Sequence, residues 1–313
     1  MKPVLALLLT LAGLAGAEAW HKSLDRHGEA VLRKNVLGSP LVLRASQQFA
    51  GALYSLTWRG REFLNAFDHG RELQTAASFD GFGECYNPTE AGTQHDGSLP
   101  TSSSRLFSIS YSKQSLQTTS DMAFWMLPGQ TYPSQCGSRP DVREARNTTV
   151  LGNYRLSKRV TIGHGPLSNV LEYDVAMEVP RDHEEGTFEL LTGYMPPDFS
   201  AFLAYDPAQG KLIPLSDGPG EQPYPVVLST PDGRFAMAAY SPGVPAVGYG
   251  RFRFLSPSPK PGEDTVKWNV VFRQKPVKAG TVPRRIYVIV GSTQEIVAAL
   301  SSLMDEAGAK GRR

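Results

Sequence analysis

The sequence predicts an all-β protein, built as a large antiparallel β-sandwich (supersandwich-like) with one C-terminal helix. The 313 residues include 30 glycines and 24 prolines, and this share indicates many turns and few long helices. Segments in which apolar and polar residues alternate recur along the chain, and this two-residue period is typical of half-buried strands. Many strands separated by turn signals favour a sandwich or barrel over an alternating βα fold.

The first predicted element is a hairpin. Tyr54, Leu56 and Trp58 alternate with polar residues, which predicts a strand. Arg59-Gly60 predicts the turn that follows, and residues 62–65 the returning strand.

Four later segments show the same alternation: 153–162, 171–179, 266–272 and 286–290. In the first three, the apolar side chains occupy one face, which predicts one buried and one polar face. Lys158 alone interrupts the apolar face of the first segment. In 286–290 apolar side chains point both ways, which predicts a strand covered on both faces.

The one predicted helix follows the last strand. Ser292 and Glu295 have the spacing of a capping box, in which two side chains satisfy the free amides at a helix start. Beyond them, five apolar residues fall on one helical face: Ile296, Val297, Leu300, Leu303 and Met304.

The N-terminus indicates export. A basic start is followed by an apolar run over 4–16 and by Ala17-Glu18-Ala19, which resembles a cleavage site. We therefore expect residues 1–19 to be a signal peptide and 20–313 to form a single domain, periplasmic or secreted. The alternative is an uncleaved anchor, but the run is shorter than the roughly 20 residues that a span needs. No contact with a membrane is expected after cleavage.

Charge and cysteine content narrow the chemistry. A net charge of +2 gives no electrostatic case for a nucleic-acid partner. Cys85 and Cys136 are predicted to form a disulfide in an oxidising compartment, with two free thiols as the alternative. The six histidines show no metal-binding spacing, and no Walker, Rossmann or nucleophile-elbow motif is present. No metal or cofactor is predicted, and Asn147-Thr148-Thr149 is a formal glycosylation acceptor.

The polar segment, residues 65–97, carries the most candidate chemistry. Its carboxylates, amides, histidines and rings are separated by glycines and a proline, which predicts an ordered loop on a rigid sheet. The predicted catalytic residues are Glu84, Tyr86, Glu90 and His95. The predicted substrate-binding residues are Asp68, Arg71, Gln74, Asn87 and Asp96.

Several roles fit these residues. Glu84 and Glu90 can act as an acid and a base of a glycosidase if the fold brings them together. For elimination from a uronate, Tyr86 or His95 can remove a proton while Arg71 binds the carboxylate. The structural alternative for each of them is a turn former, a cap or a surface ion pair.

Two parts of the chain resemble galactose-mutarotase-like proteins. One is the hairpin and glycine-containing turn of Leu56–Arg71, and the other is the ending made of Trp268–Phe272, Ala279-Gly280 and 285–291. This resemblance implies a β-supersandwich with a carbohydrate cleft on its concave face. It also implies a sugar ligand and the activity of an aldose epimerase, a glycoside hydrolase, a polysaccharide lyase or a binding module.

The sequence departs from true mutarotases at one motif. Those enzymes resemble one another through catalytic histidines, one of them in a His-x-x-Tyr-Phe-Asn motif, which has no match here. The resemblance therefore carries over the fold and the ligand class but no catalytic residue. An exported carbohydrate-active enzyme and an exported sugar-binding or structural protein remain as alternatives. Convergence of Arg71, Glu84, Asn87, Glu90 and His95 in one cleft would favour the enzyme.

Overall fold

The alternating segments form two antiparallel sheets in the computed structural model, which describes residues 19–242, 248–257 and 260–310. The predicted signal peptide lies outside the described residues, except for Ala19. The smaller sheet has four strands, which are β1 (Glu29–Val36), β2 (Ser39–Ser46), β3 (Leu53–Trp58) and β4 (Arg61–Glu62).

The first predicted hairpin and its turn are confirmed, but the returning strand is Arg61–Glu62 instead of the predicted 62–65. Trp58 pairs with Arg61 across the turn. Arg59 and Gly60 both have positive φ, at 51° and 74°. Two consecutive residues with positive φ form a turn whose twist matches the right-handed twist of the flanking strands. Turns of this kind therefore commonly connect the two strands of a β-hairpin.

Fifteen strands form the larger sheet within the described ranges. They are β5 (Gln74–Phe79), β6 (Pro88–Thr89), β7 (Arg105–Tyr111), β8 (Ser115–Phe124), β9 (Leu151–His164), β10 (Leu167–Val179), β11 (Gly186–Met195), β12 (Ala201–Asp206), β13 (Lys211–Pro214), β14 (Gly220–Gln222), β15 (Val226–Ser229), β16 (Ala236–Tyr240), β17 (Gly248–Phe254), β18 (Thr265–Gln274) and β19 (Gly280–Gly291). Their order is β13-β12-β15-β16-β19-β10-β9-β8-β6-β5-β11-β18-β17-β14, and β7 pairs with β8.

The four longer predicted strands are confirmed as parts of β9, β10, β18 and β19. In β19, residues 286–290 are all buried, as expected for a strand covered on both faces. One hydrophobic core takes side chains from both sheets, including Trp58 of β3 and Trp268 of β18. The sandwich fold class is therefore confirmed, since a shared core between sheets defines it.

The single helix, α1 (Thr293–Lys310), begins at the predicted capping box. Glu295 Oε2 accepts from the Ser292 amide at 2.6 Å, and Ser292 Oγ accepts from the Glu295 amide at 3.3 Å. The apolar face of α1 buries Ile296, Leu300 and Leu303. Within the described ranges, the structure contains no helix with the length and apolar character to cross a membrane.

His164 connects the sheet to α1. Its Nε2 lies 2.7 Å from a carboxylate oxygen of Glu306 on α1, and its Nδ1 pairs with Glu172 on β10. Burial alone would lower the pKa of His164, but the two carboxylates outweigh burial and raise this pKa above its ordinary value. The helix is therefore docked partly by charge.

The polar segment is more regular than the loop predicted for it. Residues Gln74–Phe79 form the buried strand β5 between β11 and β6. Its polar side chains are paired, because Thr75 Oγ1 donates to the Leu190 carbonyl at 3.0 Å and Gln74 Oε1 accepts the Ala91 amide at 3.0 Å. A polar strand can be buried when its groups find partners, so the missing alternation did not exclude one.

A short 3-10 turn, Gly83–Tyr86, follows β5. It carries Cys85, which is bonded to Cys136 with Cα atoms 5.5 Å apart. The predicted disulfide is thus confirmed, and it ties the polar segment to the loop after β8.

Candidate functional site

Polar side chains cover one face of the paired strands β11 and β18. Tyr194 pairs with Lys267 and Thr192 with Asn269. A bulge after Glu189 adds one residue to β11. Because side chains alternate along a strand, this extra residue keeps Glu189 on the face of Tyr194 and Lys267.

Lys267 and Glu189 form an ion pair on this face. Lys267 Nζ lies 2.8 Å from Glu189 Oε2, with side chains 12% and 28% exposed. The same ammonium lies over the rings of Tyr194 and Phe252, 5.2 Å from each centroid. Two rings and a carboxylate therefore hold this cation at the sheet surface.

Glu84, on the 3-10 turn, interacts electrostatically with both members of this ion pair. Its Oε2 accepts from Asn87 Nδ2 at 3.0 Å. Burial raises the pKa of Glu84, and Glu189 adds to the rise although Lys267 opposes it. Burial would also raise the pKa of Glu189, but Lys267 and a hydrogen bond from Asn269 outweigh burial and lower this pKa.

The two carboxyls thus have pKa values displaced in opposite directions. Burial alone would lower the pKa of Lys267, but Glu189 and Tyr194 outweigh burial and raise it, so this side chain keeps its charge. General acid–base catalysis requires one carboxyl that keeps its proton to higher pH and a neighbouring one that loses its proton at lower pH. We call Glu84, Asn87, Glu189, Tyr194 and Lys267 the glutamate site.

A cavity of about 220 Å³ adjoins the glutamate site at Tyr194. Its other lining residues are Asp68, Gly70, Arg71, Trp125, Phe254 and Thr265. The ring of Trp125 covers Gly70, where an added Cβ would lie 2.6 Å from the ring. We call the three rings that line this cavity, those of Trp125, Tyr194 and Phe254, the aromatic rim. The Trp125 amide donates to the carbonyl of Asn87, the residue that binds Glu84, at 2.8 Å.

Two predicted substrate-binding residues, Asp68 and Arg71, also line this cavity. Arg71 Nε lies 3.3 Å from Asp68 Oδ2, and its guanidinium donates to the Glu263 carbonyl. The Arg71 guanidinium also lies over the Phe67 ring, 5.1 Å from its centroid. Asp68 and Arg71 therefore lie at the rim, with the arginine held by protein partners.

Three other predicted residues are buried in structural contacts. Glu90, 1% exposed, forms an ion pair with Lys158 and accepts the Thr75 amide at 3.0 Å. Asp96 accepts from the Thr93 and Ser103 amides at 2.8 and 2.9 Å. Gln74, 3% exposed, binds the backbone as described above.

The last two predicted residues, His95 and Tyr86, are not part of the glutamate site. The His95 side chain is exposed, whereas Tyr86 is 8% exposed and packs in the core against Phe79 and Phe124. The structure thus brings together Glu84 and Asn87 and places Asp68 and Arg71 nearby. The convergence of Arg71, Glu84, Asn87, Glu90 and His95 in one cleft does not occur, because β5 and its pairing take Glu90 inside the sandwich.

Glu189, Lys267 and Trp125 at this site were not predicted from the sequence. The sequence does carry one signal for Lys267, because this residue lies on the polar face of the predicted strand 266–272, opposite the face predicted to be buried. Glu189 had no comparable signal, because the bulge that aims it is a feature of strand pairing.

Glu72 is a further unpredicted acid. It is 0% exposed, and neither of its oxygens makes a hydrogen bond of normal geometry within the described structure. Burial raises the pKa of Glu72 well above its ordinary value, although the amides of Arg71 and Glu72 favour the charged form. In the ranges 19–242, 248–257 and 260–310, no three histidine, cysteine or acidic side chains are grouped to hold a metal ion.

The chain is similar to several solved structures, three of which are of carbohydrate-related proteins. One is a galactose mutarotase related enzyme from Lactobacillus acidophilus, with 11% identity, a TM-score of 0.45, and coverage of 85% of this chain and 98% of that one. Another is a galactose mutarotase-like protein from Lactobacillus casei, with 10% identity, a TM-score of 0.41, and coverage of 84% and 100%. A heparan sulfate lyase from Pedobacter heparinus has 10% identity and a TM-score of 0.44, with 87% of this chain matching 36% of that one.

No family model matches the sequence, and no match is found among curated proteins.

Proposed function

We propose that this protein is an exported carbohydrate-active enzyme that carries out acid–base chemistry at an anomeric centre in the glutamate site. The observation that carries the proposal is the arrangement of two carboxyls, Glu189 paired with Lys267 at 2.8 Å and Glu84 bonded to Asn87 at 3.0 Å. Their surroundings displace the two pKa values in opposite directions. Paired carboxyls with separated pKa values are what hydrolysis or anomeric epimerisation of a sugar requires.

Each carboxyl has a distinct role in the proposal. Glu84, the carboxyl whose pKa is raised, donates a proton to a glycosidic or ring oxygen. Glu189 stays ionised beside Lys267 and accepts a proton from water or from the anomeric hydroxyl. The charge of Lys267 is matched by Glu189, and that of Arg71 by Asp68. Both cations are engaged, so the site favours hydrolysis or epimerisation over elimination, which needs a cation for the uronate carboxylate.

The aromatic rim supports a saccharide as the ligand. Trp125, Tyr194 and Phe254 line the cavity, and Phe254 is 46% exposed. A sugar ring has an apolar C–H face that packs on aromatic rings, while its hydroxyls take hydrogen bonds from polar groups. The Cys85–Cys136 disulfide supports the proposed export, because disulfides persist in oxidising compartments.

The test is a screen of oligosaccharides and free aldoses, with three readouts. Release of reducing ends reports hydrolysis, optical rotation reports epimerisation, and ultraviolet absorbance of an unsaturated product reports elimination. Glu84→Gln and Glu189→Gln should each lower kcat at least about 100-fold, with saccharide affinity within a few-fold of wild type. Glu178→Gln, an exposed carboxyl on β10, is the matched control.

A sugar-binding protein without turnover is the second candidate, and the exposed rim favours it. Trp125→Ala should weaken saccharide binding at least about tenfold under either candidate, since stacking on the rim is common to both. Binding without turnover in the wild type would select the second candidate. Turnover that survives in both glutamine variants would remove the glutamate site from the proposal.

A further inference from the structure

A second cavity, of about 370 Å³, lies where β8 ends, β9 begins and β10 turns into β11. Eight of its lining residues carry polar or charged groups: Tyr86, Arg146, Asn147, Thr148, Thr149, Asn153, Tyr154 and Arg181. We call this cavity the arginine pocket. It shares no lining residue with the cavity beside the glutamate site.

The arginine pocket carries uncompensated positive charge. Within the described part of the chain, neither Arg146 nor Arg181 forms an ion pair, and no acidic residue lines the cavity. Arg146 lies over the Phe82 ring and Arg181 over the Tyr86 ring, each 5.5 Å from the centroid. Two guanidinium groups over one cavity attract an anion, and their planar geometry suits a carboxylate or a sulfate.

Asn147 adds a buried acceptor to the same wall. It is 5% exposed, and its Nδ2 donates to the Met126 and Thr149 carbonyls at 3.0 and 2.9 Å. Its Oδ1 is buried and finds no hydrogen-bond partner among the described residues. An unpaired buried acceptor is costly, so a ligand hydroxyl that donates to it would gain binding energy. The amide nitrogen to which a glycan would be attached is engaged in these bonds.

A buried chain of polar groups fixes Tyr86 at the pocket. Its hydroxyl accepts from Arg181 Nη2 at 3.1 Å and lies 3.2 Å from the Tyr154 hydroxyl. The Tyr154 oxygen is 2.8 Å from His183 Nε2, and His183 Nδ1 is 2.8 Å from Asp80 Oδ2. These contacts hold Tyr86 and orient Arg181, which lowers the entropy that a ligand must pay to order these two side chains.

We propose that the arginine pocket binds an anionic sugar unit, which offers a carboxylate or sulfate and a free hydroxyl on one ring. Arg146 and Arg181 bind the anionic group, and Asn147 Oδ1 accepts from the hydroxyl. The pairing of guanidinium groups with an unsatisfied acceptor distinguishes this ligand from a plain anion, which has no hydroxyl to donate. The choice of a sugar as the carrier of these groups rests on the proposed function, whereas anion binding does not.

The test is calorimetric titration of the full chain at low ionic strength with four probes: glucuronate, glucose 6-sulfate, glucose and inorganic sulfate. We expect one of the two anionic sugars to bind at least about tenfold more tightly than glucose and than sulfate. The tighter of the two identifies the anionic group. Arg146→Ala and Arg181→Ala should each weaken that binding at least tenfold, whereas Arg143→Ala, exposed in the same loop and outside the lining, should not.

Two results would overturn the proposal. One is anionic-sugar affinity that neither arginine variant changes, and the other is inorganic sulfate that binds as tightly as the sugars. Glu189→Gln separates this proposal from the proposed function, because it should stop turnover and leave anionic-sugar affinity within twofold. If the wild type turns over no saccharide, the difference between wild type and Arg181→Ala still reports on the arginine pocket.

Discussion

Replacing Glu90 by glutamine should destabilise the fold, because this carboxylate neutralises a buried lysine. The side chains of Glu90 and Lys158 are each 1% exposed. Lys158 Nζ also donates to the Gly51 carbonyl at 2.8 Å, so the ammonium is held from two sides. In Glu90→Gln the ammonium keeps the carbonyl and loses its counter-charge inside the sandwich. Breaking one side of a buried pair costs about 3–5 kcal/mol.

The size of this loss can be converted to a melting temperature. In domains of about 150–250 residues, 1 kcal/mol corresponds to about 2–4 °C. We therefore expect Glu90→Gln to lower Tm by roughly 6–20 °C. Urea unfolding followed by tryptophan fluorescence, with the disulfide intact, measures the free energy of unfolding directly.

A double variant and a control make the test specific. Glu90→Gln combined with Lys158→Met removes both charges and should recover most of the lost stability. Glu178→Gln, an exposed carboxyl, should change the free energy of unfolding by less than about 0.5 kcal/mol. The reasoning is refuted if Glu90→Gln costs less than about 1 kcal/mol, the range of exposed pairs, or if the double variant is no more stable than the single one.

Three further predictions concern other charged and bonded groups. Glu72→Gln should stabilise the protein above pH 4.5, by up to about 1.4 kcal/mol per pH unit, because a raised folded pKa makes the wild type lose stability as pH rises; a gain that is independent of pH in urea unfolding would contradict this. His164→Gln should cost more stability at pH 6 than at pH 9, since a raised histidine pKa contributes fully below about 6.5 and its contribution disappears as pH rises through the folded pKa; equal losses at both pH values would refute the charged docking of α1. Replacing Cys85 and Cys136 by serine opens a loop with a sequence separation of 51 and should cost about 4 kcal/mol in the chain-entropy model, and an unchanged urea midpoint would exclude that stabilisation.

At the glutamate site, the sequence pattern predicts the face on which a side chain lies but not the residue that it meets. The strand 266–272 was predicted from its apolar face, and the same alternation places Lys267 on the opposite face. Which partner faces Lys267 depends on the register of β11 against β18 and on the bulge after Glu189. A one-residue change in register moves every side chain to the other face, and sequence spacing does not report that register.

By itself, the amino-acid sequence determined four of the longer strands, the first hairpin, the capping box and the sandwich class, because each depends on local period and turn chemistry. The disulfide also followed from two cysteines and from the prediction that the protein is exported. Only the tertiary structure decided which acids meet. Glu84 and Glu90 are six positions apart, yet one lies beside Lys267 and the other beside Lys158. The physical reason is that the pairing of β5 and β6 between β11 and β8 places these two carboxyls in different environments, one at a sheet surface and the other inside the sandwich.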